Sequence, residues 1–500
     1  MQKQKTVIIG AGLAGLVCGI ILAKHGHRIT LVEQAEAPAP VLRGFKRQGV
    51  HFDTGLHYTG GLGSNGPLTR YLHYLGLEAL PIVPFDPDCF DEVRFIESQR
   101  TFCLPVGFEQ QCLALVRAFP QEERAILAYM QITRHIYLSS AFLSFQEPTL
   151  LPPQEPTWQQ SLASFLHDIT TNEELKTVLS LHCLLYGVSP DRISLLQHAR
   201  VAGSYHDSVH TFTQGGLTLV QLLVQLLEQH GVTILCKKKV CGCTMNTHNQ
   251  LSGVLLEDGT QLAADIILYT GNPRHLPDLL PQACLRPALQ KHLRSLEDTI
   301  SALILFGKST LPVQALHRKN VFLCNEKPLS QAFSPAKAAN SGPFYVTGTQ
   351  HSSSQETPAT QGVMAFTPLH ASMFANVMHL PRGSRRPAGY IQQKQQFLDT
   401  FQKALVAAMP ELEEVHFIER ATPLTLKDYV GGQQGGLYGC AHSLHQLNPL
   451  PVTRVPNLFL AGQSVIAPGV LGVVVSAFLA CSFIVGHKKL FEEVIACKRQ

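Results

Sequence analysis

The stretch that decides the fold of this 500-residue chain is TVIIGAGLAG, residues 6–15. Residues 6–9 are apolar or β-branched, which predicts a short buried strand. Residues 16–24, after the glycines, have the apolar character of a packed helix, and residues 28–32 form a second strand-like run. Strand, glycine turn, helix and second strand in this order predict a βαβ unit with parallel strands.

The glycines of this turn have separate roles in such a unit. Gly10 permits the tight turn, Gly12 lets a diphosphate approach the backbone, and Gly15 lets the helix pack against the strand. Glu33 directly follows the second strand, where a carboxylate can accept hydrogen bonds from ribose hydroxyls. Because these features occur together, the segment predicts a dinucleotide site rather than a purely structural turn.

The composition is that of a large, compact and nearly neutral protein. Charged residues make up 15% of the chain and hydrophobic residues 45%, so the chain can bury a large core. The formal net charge of +4 is too small for a surface that neutralises nucleic-acid phosphates. The sequence also has no repeat period, which excludes repeat architectures.

The 13 cysteines show no C-x-x-C spacing of the kind found in zinc and redox sites. Cys241 and Cys243 form the closest pair, but further candidate ligands do not lie near them in the sequence. We therefore expect reduced thiols, a cytoplasmic location and no metal site.

The pattern changes several times beyond the first unit. Residues 68–200 are mostly helical in pattern, which predicts an inserted helical region. Residues 253–256 and 261–268 flank the turn EDG and predict a hairpin. Residues 390–409 predict a long helix, and strands of a separate sheet are predicted at residues 300–306, 344–347 and 363–367.

The C-terminal part of the chain is strongly apolar, without a charged residue between Arg454 and Lys488. Gly462, Pro468 and Gly469 interrupt this segment, so the remaining helix is too short to cross a hydrocarbon core of about 30 Å. The segment therefore predicts a buried strand followed by a buried helix, and no transmembrane span.

Motifs along the whole chain resemble those of the flavin-dependent superfamily that contains phytoene desaturases, carotenoid isomerases and retinol saturases. In chain order they are residues 7–15 with Glu33, FDTGLHY at 52–58, QGG at 214–216, EDG at 257–259, ADII at 264–267, NP at 272–273, GLYG at 436–439 and NLFLAGQ at 457–463. The resemblance is specific for the superfamily and loose for the substrate.

The resemblance implies FAD held along its length between two domains. The residues it implies for the cofactor are Gly10, Gly12, Ala14 and Gly15 around the diphosphate, Glu33 at the ribose, Val240 at the adenine, Gly462 and Gln463 on the other side of the phosphates, and Val470 and Leu471 near the flavin ring.

Two positions depart from the family pattern. PVLRG at 40–44 replaces a usual pair of glycines, although Arg43 can still reach the phosphates, and Gln463 stands where many relatives carry an acid.

The implied fold is α/β, with a Rossmann-type FAD-binding domain and a discontinuous substrate domain made of an antiparallel sheet and a helical insert. We expect the FAD-binding domain to comprise residues 1–75, 206–290 and 421–500. Residues 76–205 would form the helical cap, and residues 291–420 the sheet and long helix of the substrate domain.

The implied function is that of an FAD-dependent oxidoreductase that saturates, desaturates or isomerises carbon–carbon double bonds in a lipophilic polyene such as a carotenoid or retinoid. His57 and Tyr58 are the candidate catalytic residues, with Tyr438 and His442 as further candidates. Two alternatives stay open: an amine-oxidase-like flavoenzyme acting on a polar nitrogen substrate, and a non-catalytic flavin-binding partner protein.

Two surfaces are expected to serve a lipophilic substrate. Apolar side chains of the helical insert would line its access route, namely Leu166, Leu175, Val178, Leu179 and Leu185, unless they simply pack together. Residues 136–143 would make peripheral contact with a membrane, unless they are buried against neighbouring helices.

Overall fold

The computed structural model describes residues 4–145, 155–248, 250–349 and 361–497. The strands in these ranges are β1 (Lys5–Ile9), β2 (Arg28–Val32), β3 (Phe45–Arg47), β4 (Val50–Phe52), β5 (Thr59–Gly60), β6 (Ile82–Pro84), β7 (Asp91–Phe95), β8 (Thr101–Leu104), β9 (Val209–Phe212), β10 (Thr233–Leu235), β11 (Val240–Met245), β12 (Leu251–Leu256), β13 (Gln261–Ala263), β14 (Ile266–Tyr269), β15 (Ser301–Ser309), β16 (Asn320–Cys324), β17 (Phe344–Gly348), β18 (Gln361–Leu369), β19 (His416–Ala421) and β20 (Leu458–Leu460).

The α-helices are α1 (Leu13–Lys24), α2 (Pro67–Leu75), α3 (Phe108–Ala118), α4 (Glu123–Ser139), α5 (Ala141–Ser144), α6 (Leu162–Ile169), α7 (Glu173–Ser180), α8 (Cys183–Tyr186), α9 (Leu195–Asp207), α10 (Gly216–Gln229), α11 (Leu276–Leu279), α12 (Pro287–Ser295), α13 (Ala388–Ala408), α14 (Pro423–Val430), α15 (Gly469–Val485) and α16 (His487–Ala496).

A five-stranded parallel sheet has the order β10-β2-β1-β14-β20. Its strands come from widely separated parts of the chain, and α1 packs against both α10 and α15. The central strands are apolar on both faces because both faces are covered. Ile8 and Leu31 pack with residues of α1 and α15, whereas Val7 and Val32 pack with residues of β11 and β12. This arrangement confirms the predicted α/β fold with a Rossmann-type domain.

A seven-stranded sheet has the order β19-β15-β18-β17-β16-β7-β8 and is antiparallel except where β16 pairs with β7. Alternate residues of β18 point to opposite faces of the sheet and belong to two different hydrophobic cores. Met364 and Phe366 pack with residues of the helical insert, whereas Val363 and Ala365 pack with residues of α13. The sheet therefore lies between the insert and the long helix, as expected from the period of two along a strand.

The predicted hairpin arm at residues 261–268 is two strands in two sheets. β13 ends at Ala263 and pairs with β12, whereas β14 begins at Ile266 and pairs with β1. Asp265 lies between them and makes two hydrogen bonds to the backbone of Lys5, at 2.7 and 2.8 Å. These contacts hold the chain where it crosses into the parallel sheet.

The expectation of reduced thiols is wrong for one pair of cysteines. Cys89 and Cys103 form a disulfide. β7 and β8 are antiparallel neighbours, and the Phe90 N–H donates to the Leu104 carbonyl at 3.0 Å, which holds Cys89, just ahead of β7, against the strand that carries Cys103. Among the described residues, the group Cys89, Glu92 and Cys103 is the one set of three metal-ligand types within 4.8 Å of one another, and its two thiols are joined to each other.

Most of the apolar insert residues expected at a surface or in a tunnel are core residues. Leu166, Leu175, Val178 and Leu179 are buried, and only Leu185 of that set is half-buried. The membrane-contact prediction is wrong for Ile136 and Tyr137, which are 1% and 3% exposed, because one face of α4 packs against neighbouring helices. Within the described ranges, no helix combines the length and apolar character needed to cross a membrane.

Candidate functional site

The glycine turn after β1 forms a cradle at the amino end of α1. Gly10 has φ +100°, and a Cβ on Gly15 would lie 2.0 Å from the Gly10 carbonyl oxygen. The chain itself therefore requires both glycines. A Cβ on Gly12, in contrast, would meet nothing within 4 Å. The open space beside Gly12 is where a diphosphate can approach the N–H groups of the helix.

Glu33 lies at the end of β2 and closes one side of the cradle. It is only 7% exposed, and its carboxylate accepts hydrogen bonds from the backbone N–H of Ala11 at 2.9 Å and of Ala35 at 2.8 Å. Each carboxylate oxygen can accept a further bond, so the group can still bind a ribose hydroxyl. The Lys238 N–H donates to the Glu33 carbonyl, which brings the start of β11, at Val240, to the same end of the site.

Arg43 lies in a turn that is joined to the cradle, because the Ala39 N–H donates to the Ala11 carbonyl at 2.9 Å. The Arg43 Nε atom is buried without a hydrogen-bond partner, and the described part of the chain places no carboxylate in an ion pair with it. A partly buried guanidinium without a counter-ion is unfavourable by itself and is stabilised by an anion. The residues of the cradle therefore fit the diphosphate of a dinucleotide.

The C-terminal strand and helix complete the same edge of the parallel sheet. Gly462, which follows β20, has φ +119°, and its N–H donates to Ser476 Oγ on α15 at 2.9 Å. The Gln463 carbonyl accepts a hydrogen bond from His442 Nε2 at 2.7 Å. Val470 and Leu471 form the first turn of α15 and are buried.

The first turn of α15 lies beside the segment that follows the motif FDTGLHY. A Cβ on Gly61 would lie 3.2 Å from Leu471 Cδ2. The structure thus brings the sequence-predicted residues of both chain ends to one edge of the sheet: Gly10, Gly12, Ala14, Gly15, Glu33, Arg43, Val240, Gly462, Gln463, Val470 and Leu471. Their individual roles toward a cofactor stay predictions.

Tyr58, a predicted catalytic candidate, is held in a buried hydrogen-bond network. Its hydroxyl donates to Asp91 Oδ2 at 3.0 Å, and Asn320 Nδ2 donates to Asp91 Oδ1 at 2.8 Å. The Tyr345 hydroxyl donates to Asn320 Oδ1 at 3.0 Å. Burial, together with Asp91, raises the pKa of Tyr58 well above its ordinary value. Tyr58 is thus a fixed, protonated phenol in a fully paired network.

His57 faces a small cavity between the motif and the large sheet, which is lined by Phe52, Asp53, Thr347, Gly348, Thr349 and Met364. Burial lowers the pKa of His57 to about 4, and the opposing effect of Asp53 is smaller. The imidazole is therefore neutral at neutral pH and can accept or donate a hydrogen bond without carrying a charge.

Several residues lie deep in the fold and yet keep part of their surface uncovered. We call four of them the inner cluster: His57, Leu185, Tyr205 and Tyr438. The rings of Tyr58 and Tyr205 are 5.0 Å apart, and the Tyr438 hydroxyl donates to the Leu184 carbonyl at 3.2 Å. Burial raises the pKa of both Tyr205 and Tyr438, so their hydroxyls stay protonated.

Sequence reasoning missed Tyr205, although the predicted helical region, residues 68–200, includes the first half of its helix, α9. A signal was present in the sequence, because polar residues such as Gln197 and Arg200 interrupt an otherwise apolar helical run. The pattern shows that α9 has a polar face. It does not show that this face is turned inward, which depends on the elements packed against the helix.

Comparisons with known proteins agree on the fold and the chemistry. Residues 8–75 match the family described as NAD(P)-binding Rossmann-like domain. The all-trans-retinol 13,14-reductase of Danio rerio is 24% identical over 543 residues, covering 100% of this chain and 88% of that protein. The 1-hydroxycarotenoid 3,4-desaturase of Flavobacterium sp. (strain P99-3) is 24% identical over 472 residues, covering 88% and 89%.

A solved structure has the same architecture over its full length. Cyclohexylamine oxidase from Brevibacterium oxydans IH-35A superposes with a TM-score of 0.62 and 14% sequence identity, covering 100% of both chains. At this level of identity the similarity concerns the fold alone.

Proposed function

We propose that this chain, which belongs to the superfamily of retinol reductases, carotenoid desaturases and flavin-dependent amine oxidases, is an FAD-dependent oxidoreductase acting on carbon–carbon double bonds of a lipophilic polyene. The observation that carries the proposal is the similarity to a retinol reductase along the whole chain. The buried, mostly aromatic residues of the inner cluster support it, since a polyene needs a site from which water is largely excluded.

The residues of the cradle would hold FAD. The space beside Gly12 and the unpaired Arg43 suit its diphosphate, Glu33 suits the adenosine ribose, and Val470 and Leu471 suit the flavin ring. When bound, FAD supplies the redox chemistry, so the protein needs no nucleophile of its own. The amino end of α15 favours negative charge beside its first turn.

The protein's own residues would orient the polyene and provide hydroxyl groups that remain protonated. Tyr205 and Tyr438 belong to the inner cluster, and their hydroxyls stay protonated because burial raises the pKa of both. Tyr58, held by Asp91, supports one side of the inner cluster through its contact with the Tyr205 ring. His57 offers a neutral imidazole that can hydrogen-bond without repelling or attracting charge.

The test begins with the purified protein. Its absorbance spectrum should show a bound flavin, and extraction should release FAD. Anaerobically reduced protein and, in a parallel sample, oxidised protein are then mixed with retinol or a carotenoid. The products are separated by chromatography, and their molecular masses are measured by mass spectrometry. Saturation reoxidises the flavin and adds two hydrogens to the polyene, whereas desaturation reduces oxidised flavin and removes two. Isomerisation leaves the mass of the polyene and the redox state of the flavin unchanged but alters the position or geometry of a double bond, which the absorbance of the separated products reports. A flavin reduced by amines alone would indicate the amine-oxidase alternative, and a protein that changes neither the flavin nor the polyene would be non-catalytic.

Gly12→Val is the matching variant for the cofactor site. The side chain would occupy the space intended for the diphosphate, so flavin content should fall sharply in a folded protein. Gly389→Val is the control, because Gly389 lies in the first turn of α13 and a Cβ there also meets nothing within 4 Å. Equal flavin content in the two variants would contradict the placement of FAD.

Peripheral membrane contact belongs to this proposal, because a long polyene is scarcely soluble in water. Leu447, Leu450 and Val452 lie on one loop and are 82%, 67% and 40% exposed. Asn448 Nδ2 donates to the Ser464 carbonyl at 3.1 Å, so the loop is tied to the segment after Gly462. In liposome flotation the protein should rise with vesicles, and Leu447→Ser with Leu450→Ser should weaken this. Wild type that stays at the bottom would contradict membrane contact.

A further inference from the structure

Arg200 is a deeply placed cation for which the protein supplies no counter-ion. It lies on α9, and its Nε donates to Ser140 Oγ at 3.1 Å. Within the ranges that the structure describes, its guanidinium forms no ion pair and makes no other hydrogen bond. Its two terminal nitrogens have no partner in the described residues and keep some accessible surface. The acceptor atoms of a ligand can therefore reach these N–H groups.

The neighbours of Arg200 along α9 show where this space lies. Gln197 Nε2 donates to the Ile466 carbonyl at 3.3 Å, and the Ser204 carbonyl accepts a hydrogen bond from the Gly61 N–H at 3.2 Å. Residues three before and four after Arg200 share its face of the helix. The face of α9 that carries Arg200 therefore packs beside the segments that flank the first turn of α15.

The charge of Arg200 persists in this setting. Burial lowers the pKa of the guanidinium to about 10, which still leaves it protonated at neutral pH. A buried charge without a partner destabilises the protein, and a wholly hydrocarbon substrate would leave it unneutralised. A carboxylate would neutralise it and match the forked N–H groups with two parallel hydrogen bonds.

We propose that Arg200 binds a carboxylate of the substrate, so that the substrate class is a polyene carboxylic acid. This inference rests on the proposed function. It differs from the role proposed for Arg43, whose turn is tied to Ala11 in the glycine cradle and therefore lies at the diphosphate. It also disfavours a protonated amine as substrate, because Arg200 would repel it.

The test compares two polyenes that share one skeleton and differ only in the head group, all-trans-retinoic acid and all-trans-retinol. Binding to the flavin-loaded protein is measured by ultrafiltration and polyene absorbance, which requires no turnover. Wild type should bind the acid about tenfold to a hundredfold more tightly than the alcohol, the range expected for a hydrogen-bonded charge pair. Arg200→Gln should remove this preference while leaving alcohol binding unchanged, and Arg200→Lys should keep part of it.

The control is Arg192→Gln, which removes a partly exposed arginine that is paired with Glu297 just ahead of α9. It should leave the acid preference unchanged. Equal preference for the acid in wild type and Arg200→Gln would overturn the inference. An Arg200→Gln variant that keeps the preference and instead changes the spectrum of the flavin without polyene would assign Arg200 to the cofactor, and would also overturn it. Binding of neither polyene to wild type would refute the proposed polyene function itself.

Discussion

Replacement of Glu33 should lower the folding stability of the protein even when no cofactor is bound. Its carboxylate accepts hydrogen bonds from the N–H groups of Ala11 and Ala35, so it holds the glycine turn, and it is also the residue proposed to bind the ribose. In Glu33→Gln, one acceptor oxygen becomes an NH₂ group. One of the two backbone N–H groups then faces a donor instead of an acceptor in a site that is 7% exposed.

The size of both effects follows from these contacts. Loss of the acceptor for one buried N–H should lower the free energy of unfolding of the apoprotein by about 1–3 kcal/mol. The ribose also loses a charged acceptor, which should weaken FAD binding by roughly tenfold to a hundredfold. Glu33→Ala leaves both N–H groups unpaired and should roughly double the loss of stability.

Urea unfolding of the apoprotein measures the first effect, and titration with FAD measures the second. Glu257→Gln is the control, because Glu257 is an exposed partner of Lys239 on a hairpin and its loss should change stability by no more than about 0.5 kcal/mol. An unchanged unfolding midpoint for Glu33→Gln would refute the structural role assigned to the carboxylate. Unchanged FAD affinity would refute its role at the ribose.

Three further expectations follow from the structure. Gly15→Ala should abolish flavin binding and most of the soluble protein, because the new Cβ would lie 2.0 Å from the Gly10 carbonyl oxygen; a flavin-loaded variant would contradict this. The pKa of His57 is lowered from 6.5 to about 4, so the unfolded chain binds more protons between these values and stability falls as pH drops from 6.5 toward 4. His57→Phe should reduce that loss when urea midpoints at pH values of about 7 and 5 are compared, and an unchanged pH dependence would argue against it. Alkylation of the denatured, unreduced protein should label 11 of the 13 cysteines, and labelling of all 13 would contradict the Cys89–Cys103 disulfide.

The parallel sheet and the glycine turn could be predicted from the sequence because their signals are local. Residues 6–15 contain the strand, the turn and the start of the helix within a few positions. The need for glycine at Gly10 and Gly15 arises from contacts inside that same turn. The apolar C-terminal segment was also correctly predicted as a strand and helix, since its glycines and proline limit the length of any helix there.

Periodicity alone could not tell what a buried face packs against. The apolar stripe that contains Leu175 and Leu179 is the same whether it lines a tunnel or a core, and the structure places both residues in the core. Residues 261–268 likewise have one continuous strand pattern. The structure divides that run between two sheets, because β13 pairs with β12 whereas β14 pairs with β1.

The sequence by itself determined the dinucleotide-binding unit, whereas the tertiary structure decided the inner cluster and the polar groups near it. Asp91 meets Tyr58 from 33 positions away and Asn320 from 229, and the face of α9 that carries Arg200 packs beside Gly61 and Ile466. The reason is physical. A turn is specified by the steric limits of neighbouring residues, but the pairing or exposure of a buried polar group depends on which distant segments pack around it.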